Sequence, residues 1–105
     1  MNKLRSTGGC KISAQPSSIY IGKKPLLNYV LAAMINFNSG VDTVILKARG
    51  NMIGKAVDVA RMVIERMLNT VKIEDIKIDS EFIEQEGGGK RRVSTIEITL
   101  KHELA

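Results

Sequence analysis

The chain has 105 residues, the length of one ordinary domain with material for a single hydrophobic core. It is 44% apolar but only 4% aromatic, without a tryptophan, so that core is expected to be aliphatic. A formal charge of +5, and an apolar run (Val30 to Ile35) far shorter than the roughly 20 residues of a membrane span, argue against a membrane protein and for a polyanionic partner.

Residues 1–17 are rich in Ser and Gly and show no sustained period, which predicts a flexible N-terminal arm ahead of a single domain over 18–105. The first residues also lack the charged-then-apolar pattern of a secretory signal, so a cytoplasmic protein is expected. Ser18 to Ile21 is a short β-type run stopped by Gly22. After Lys23 and Lys24, Pro25 opens a helix where its missing N–H costs nothing. Leu26, Val30, Ala33 and Phe37 mark one face of that helix; Leu27, Leu31 and Met34 mark a second. So wide an apolar circumference predicts cover on two sides. Gly40 ends the helix.

Val41 to Arg49 reads as a strand, and its Val44-Ile45-Leu46 centre predicts burial on both faces. Gly50 breaks the run, and Asn51 is the expected N-cap of a second helix over about Met52 to Leu68. The apolar stripe of this helix is Met52, Ala56, Val59, Val63 and Met67, with Asp58, Arg61 and Glu65 opposite at ion-pairing spacings. Val71 to Ile83 alternates, placing Ile76, Ile78, Ser80 and Phe82 inward and Lys77, Asp79 and Glu81 outward. Val93 to His102 alternates likewise, with Ile96, Ile98 and Leu100 inward. Between them Glu84 to Arg92 forms a hairpin tip too long for a tight turn. The order β-α-β-α-β-β implies a two-layer α/β (α+β) domain, a small mixed sheet carrying both helices. Tyr20, Tyr29, Phe37 and Phe82 stand at core-type positions, and of these Tyr29 is the one whose hydroxyl could reach the rim.

Catalysis finds little material. The single Cys10 and single His102 rule out an internal disulfide, a cysteine metal cluster and any Ser/His/Asp or Cys/His set. Gly50 to Lys55 resembles a phosphate-binding P-loop but has one residue too few between its glycines and no Ser or Thr for Mg²⁺. Asp79 and Glu81 share an outward face as a solvated strand edge. No enzyme, cofactor, metal or small-molecule substrate is expected.

The cations are better placed. Residues 1–57 hold eight basic side chains and one acidic, Asp42; residues 58–105 hold eight basic and ten acidic. That is +7 against −2, which concentrates positive potential on one part of the surface. Lys23 and Lys24 lie on a loop beside a helix N-terminus, where full charges and the helix's positive end favour phosphate oxygens. Lys47, Arg49 and Asn51 lie at the exit of the second strand, with Lys55 one turn into the next helix. In parallel units strand exits and helix starts share one edge of the sheet, so these two groups should converge. Lys90, Arg91 and Arg92 follow three glycines, a pliable ribbon with affinity for a phosphate backbone. These surfaces are poor in stacking aromatics and support phosphate contact rather than base readout.

Three segments carry a family resemblance: Ile21-Gly22-Lys23-Lys24-Pro25-Leu26-Leu27-Asn28-Tyr29-Val30-Leu31-Ala32, Lys47-Ala48-Arg49-Gly50-Asn51-Met52-Ile53-Gly54-Lys55-Ala56-Val57-Asp58 and Arg92-Val93-Ser94-Thr95-Ile96-Glu97-Ile98. In this order they resemble the Alba family of archaeal chromatin proteins, over about residues 18–102. The resemblance implies a fold similar to the C-terminal domain of a bacterial translation initiation factor. It also implies a chromosome-associated homodimer that coats double-stranded DNA without sequence preference and often binds RNA. Lys23 and Lys24 match the family's DNA-contacting loop lysines, and Lys23 the one described as a target of acetylation, hence of an acetyltransferase and a deacetylase. Arg49 matches a backbone-contacting arginine, and Arg92 a hairpin cation that reaches toward the minor groove. Asn51 stands where some members carry a second arginine. Met67 stands where some carry a phenylalanine joining dimer to dimer, offering less area and no ring for a higher assembly on DNA. The alternative is an RNA-binding subunit of a ribonucleoprotein complex, in tRNA processing or on the ribosome.

Overall fold

The computed structural model describes residues 16–103. The arm expected over 1–17 falls outside that range except at its end, where Ser17 already belongs to the first strand. The elements are β1 (Ser17–Tyr20), α1 (Leu26–Asn38), β2 (Thr43–Arg49), a 3-10 turn (Gly50–Met52), α2 (Ile53–Arg66), β3 (Val71–Glu84) and β4 (Lys90–His102). They build one four-stranded sheet of order β1-β2-β4-β3. β1 runs parallel to β2, with Tyr20 opposite Lys47; β4 runs antiparallel to β2 and to β3. The expected mixed sheet with two helices is the observed fold.

Alternation decides which strand residues enter the core. Val44, Leu46 and Ala48 of β2 lie opposite Leu100, Ile98 and Ile96 of β4, and all six are buried. Over them pack Val30, Ala33 and Phe37 of α1 and Ala56, Val59, Ala60 and Val63 of α2. Both helices sit on this one face, so β2 is buried on one side rather than two: Ile45 and Lys47 are half-buried and Arg49 is exposed. The same one-sided arrangement leaves the second face of α1 open, with Leu27 and Leu31 exposed and Met34 only half-buried.

β3 departs furthest from expectation. Ile76 and Ile78 lie opposite Ile98 and Ile96 and so turn to the helix side. Yet Ile78 is 76% and Phe82 69% exposed. On this edge strand Val71 is buried and Ile83 half-buried, and the rest is exposed among the described residues. A register shift between Ile73 and Asp75 is a β-bulge at Glu74, and it places Ile73 and Ile76 on the same face although their spacing is odd.

The hairpin ladder runs further than the sequence pattern suggests, to Glu84 opposite Lys90. Only Gln85–Gly89 turn, closed by the Gln85 N–H to the Gly89 carbonyl at 3.0 Å and the Gly88 N–H to the Gln85 carbonyl at 3.3 Å. Gly87, Gly88 and Gly89 all have positive φ (87°, 86° and 102°), a conformation that side chains resist, so they build a defined turn rather than slack. Lys90, Arg91 and Arg92 therefore belong to β4, not to the tip. Because β2 ends at Arg49 opposite Thr95, residues 90–94 continue past it. With β3 they form a two-stranded arm about 17 Å long at ~3.4 Å per residue. Asn51 is likewise not a cap: it lies inside the 3-10 turn, Met52 precedes α2, and no side chain caps the helix.

Candidate nucleic-acid interface

The loop between β1 and α1 is held from both sides. The Ile21 N–H donates to the Lys47 carbonyl at 2.8 Å, continuing the β1–β2 pairing by one residue. Beyond it the chain would present free backbone groups to water. Tyr29, buried on the first turn of α1, accepts the Gly22 N–H at 2.8 Å and the Lys24 N–H at 3.2 Å with its hydroxyl. The ammonium of Lys55 on α2 donates to the Gly22 carbonyl at 2.8 Å and to the Lys24 carbonyl, and stands 5.3 Å from the Tyr29 ring centroid. A Cβ at Gly22 would come within 3.3 Å of the Tyr29 hydroxyl, which favours glycine there. A cation in the first turn of a helix opposes the helix dipole; the two loop carbonyls offset that cost. The result is a backbone clamped by Tyr29 and Lys55, from which the exposed Lys23 and Lys24 extend.

This loop, the exit of β2 and the start of α2 share one edge of the sheet, as expected from the parallel β1–β2 pair. Neither helix has an acidic residue in its first turn, so the positive ends of both remain uncompensated. Arg49, two residues past Lys47, donates to Glu81 of β3 at 2.8 Å, with both side chains at least half exposed. Asn51, Arg91 and Arg92 line one shallow depression of about 250 Å³ with Gly50, Val93 and Ser94, which joins the base of the arm to the same edge. Along the arm the strand alternation separates the cations. Arg91 lies opposite Ile83 on one face, while Lys90 and Arg92, opposite Glu84 and Phe82, share the other. Arg92 also donates through Nε to the Ser80 hydroxyl at 3.2 Å.

Among the described residues the ion pairs are Arg49–Glu81, Arg61–Glu65, Lys72–Glu103 and Lys101–Glu74. Lys23, Lys24, Lys47, Lys90, Arg91 and Arg92 have no carboxylate partner among them. Cations that no acid neutralises, next to two bare helix starts, are what phosphate oxygens require.

Sequence reasoning placed Lys55 among the cations of this edge and Tyr29 at a core position with its hydroxyl toward the rim, but not their joint hold on the loop, nor the pairing of Glu81 with Arg49. Glu81 lies 32 residues from Arg49, and no local pattern announces their pairing. Two aromatics assigned to the core are exposed, Tyr20 and Phe82, because each projects from a strand at a sheet position no helix covers. Met67 packs partly buried against the core, while its neighbour Leu68 is 82% exposed.

Known proteins bear on this geometry directly. Among protein families, the one described as Alba matches residues 17–80. The DNA/RNA-binding protein Alba 1 of Archaeoglobus fulgidus is 50% identical over 84 residues, covering 80% of this chain and 93% of the relative. The DNA/RNA-binding protein Alba of Thermoplasma acidophilum is 46% identical over 87 residues, covering 83% and 97%. The solved structure of Alba from Thermoplasma volcanium superposes with a TM-score of 0.77 at 44% identity, covering 82% of this chain and all of that one. Alba 1 from Trypanosoma brucei shares the fold at a TM-score of 0.66 and 22% identity, covering 87% and 73%. A family match across both helices and three strands, with relatives at half identity over four-fifths of the chain, means that the chain belongs to the Alba family.

Proposed function

We propose that this protein binds double-stranded DNA through its phosphate backbone, without sequence preference, and coats it as a chromosome-associated architectural protein that also binds RNA. The observation that carries this is the set of cations at one sheet edge, all but Arg49 without a carboxylate partner among the described residues, beside two helix N-termini free of acid. The relatives' names, DNA/RNA-binding protein Alba, agree with it. Lys23, Lys24, Lys47, Arg49 and Asn51 form the body of the contact, and Lys90, Arg91 and Arg92 extend it along the arm. Binding and not catalysis is the activity of such a surface.

The functional unit is a homodimer. Ile76, Ile78 and Phe82 form an uncovered apolar strip on the helix side of β3, and a second copy supplies the cover that this chain lacks. Twofold symmetry then doubles the lysine loop and the arm, so that two arms straddle a duplex. Met67 and the exposed Leu68 supply the apolar contact between neighbouring dimers. Acetylation of the exposed Lys23 by an acetyltransferase, reversed by a deacetylase, removes one charge per protomer from the contact.

A gel shift across salt and DNA length tests the reading. A dimer neutralising roughly 6–10 phosphates loses about 10³–10⁵ in affinity between ~50 and ~200 mM salt. The Lys23→Gln variant should flatten that slope and weaken all duplex sequences equally. Affinity that survives high salt, or a slope unchanged in Lys23→Gln, overturns it. Strong preference for one structured RNA in competition favours a ribonucleoprotein subunit instead.

A further inference from the structure

Tyr20 is 72% exposed although it is paired, as the last residue of β1, in the parallel β1–β2 ladder. Its register partner is Lys47, and both project from the sheet face opposite the helices. The Lys47 ammonium stands 5.5 Å from the Tyr20 ring centroid, which fixes the ring and leaves most of the residue accessible. An open groove of about 520 Å³ begins at Tyr20 and passes Lys47 and Arg49 to Thr95, Glu97 and Glu81. Its volume falls in the roughly 300–1,000 Å³ range of small-ligand sites.

A solvated ring beside a cation that has no carboxylate partner among the described residues is an arrangement that takes a nucleobase with its phosphate. Within the groove Arg49 is held by Glu81 at 2.8 Å, and Glu97 stands opposite Lys47 on β4. The acids lie on the β4 and β3 side, and the Lys47 ammonium beside the ring is the cation left for phosphate. A strand entering from the loop therefore keeps its backbone on the cationic side and directs a base toward Tyr20. A paired base in a duplex is already stacked and cannot reach the ring.

We infer that Tyr20, beside Lys47, is a stacking site for one unpaired nucleotide, adjoining the contact that holds duplex backbone and sharing Lys47 with it. The inference rests on the phosphate-binding reading above and adds a class of ligand to it: single strands, and the loops of folded RNA.

The test compares a single-stranded oligothymidylate, which cannot pair with itself, with a blunt DNA duplex of equal length. Wild type, Tyr20→Phe and Tyr20→Leu are titrated with each. Loss of one base stack lowers affinity by about tenfold. The Leu variant should lose about that much for the single strand and nothing for the duplex, while the Phe variant, which keeps the ring, retains both. The chain has two tyrosines and no tryptophan, and Tyr29 is buried, so tyrosine emission quenched by the single strand should report on Tyr20 and vanish from both variants. A Leu variant that binds the single strand like wild type, or that loses single strand and duplex equally, overturns the site and leaves the backbone contact standing. Wild-type protein that binds neither probe overturns the backbone contact and the stacking site together.

Discussion

The ammonium of Lys55 donates to the carbonyl of Gly22 at 2.8 Å across 33 residues of sequence. This bond ties the start of α2 to the loop that presents Lys23 and Lys24. The loop is therefore a braced platform, and its affinity for phosphate depends on side chains that do not themselves point outward.

Replacing Tyr29 with Phe removes the acceptor for the Gly22 and Lys24 amides and leaves net charge untouched. Stability should fall by about 1–2 kcal/mol, and those two amides should exchange faster with solvent. Duplex affinity should drop severalfold. Lys55→Met should free the same loop by releasing its carbonyls. Amide exchange followed by NMR, beside a binding titration, checks both; unchanged exchange at Gly22 and Lys24 would remove the brace from the account.

Glu81 holds the Arg49 guanidinium at 2.8 Å, and both side chains are well solvated, so the pair contributes about 0–1 kcal/mol to stability. Glu81→Gln should leave the melting temperature nearly unchanged while freeing Arg49 for phosphate. Duplex affinity at low salt should rise a few fold, with a steeper salt dependence. Arg49→Ala should move both quantities the other way.

Two apolar substitutions should have opposite signatures. Leu46 is fully buried beneath both helices, and Leu46→Ala should cost about 2–5 kcal/mol and unfold the protein at lower temperature. Ile78 is 76% exposed on the edge strand, so Ile78→Glu should leave the protomer folded and shift sedimentation from dimer to monomer. If Ile78→Glu sediments as wild type, the dimer surface lies elsewhere.

Leu68 has φ of 56°, a left-handed conformation that Leu adopts at about 1–2 kcal/mol, and it is exposed. Leu68→Asn should relieve part of that strain and raise the melting temperature by a few degrees. If Leu68 supplies contact between dimers, the same variant should bind long DNA less cooperatively while binding short duplexes normally.

Much of this protein is legible in its residues because the signals are local. Gly22, Pro25, Gly40 and Gly50 punctuate the chain close to where its elements change. The three-to-four residue spacing of Val59, Ala60 and Val63 sets the buried stripe of α2, and the alternation of Ile96, Ile98 and Leu100 sets the buried face of β4. The convergence of Lys23, Arg49 and Asn51 on one edge follows from parallel strands joined by helices.

Local signals also mislead where burial depends on what else covers a residue. Val44-Ile45-Leu46 resembles a strand buried on both faces, and Ile76, Ile78 and Phe82 resemble an inward face. Two helices packed on one side of a four-stranded sheet leave the other side, and the outer strand, uncovered. The register of β3 and β4 moved Lys90, Arg91 and Arg92 from a loose tip onto two faces of a two-stranded arm.

Sequence alone therefore determined the order of elements, the helical and strand periods and the asymmetric distribution of charge, since each depends on neighbours within a few residues. The tertiary structure alone decided that Tyr29 and Lys55 brace the lysine loop, that Glu81 occupies Arg49, and that Tyr20 stands in solvent. Each of these depends on groups brought together by packing, or on a face left uncovered by it, which no spacing along the chain encodes.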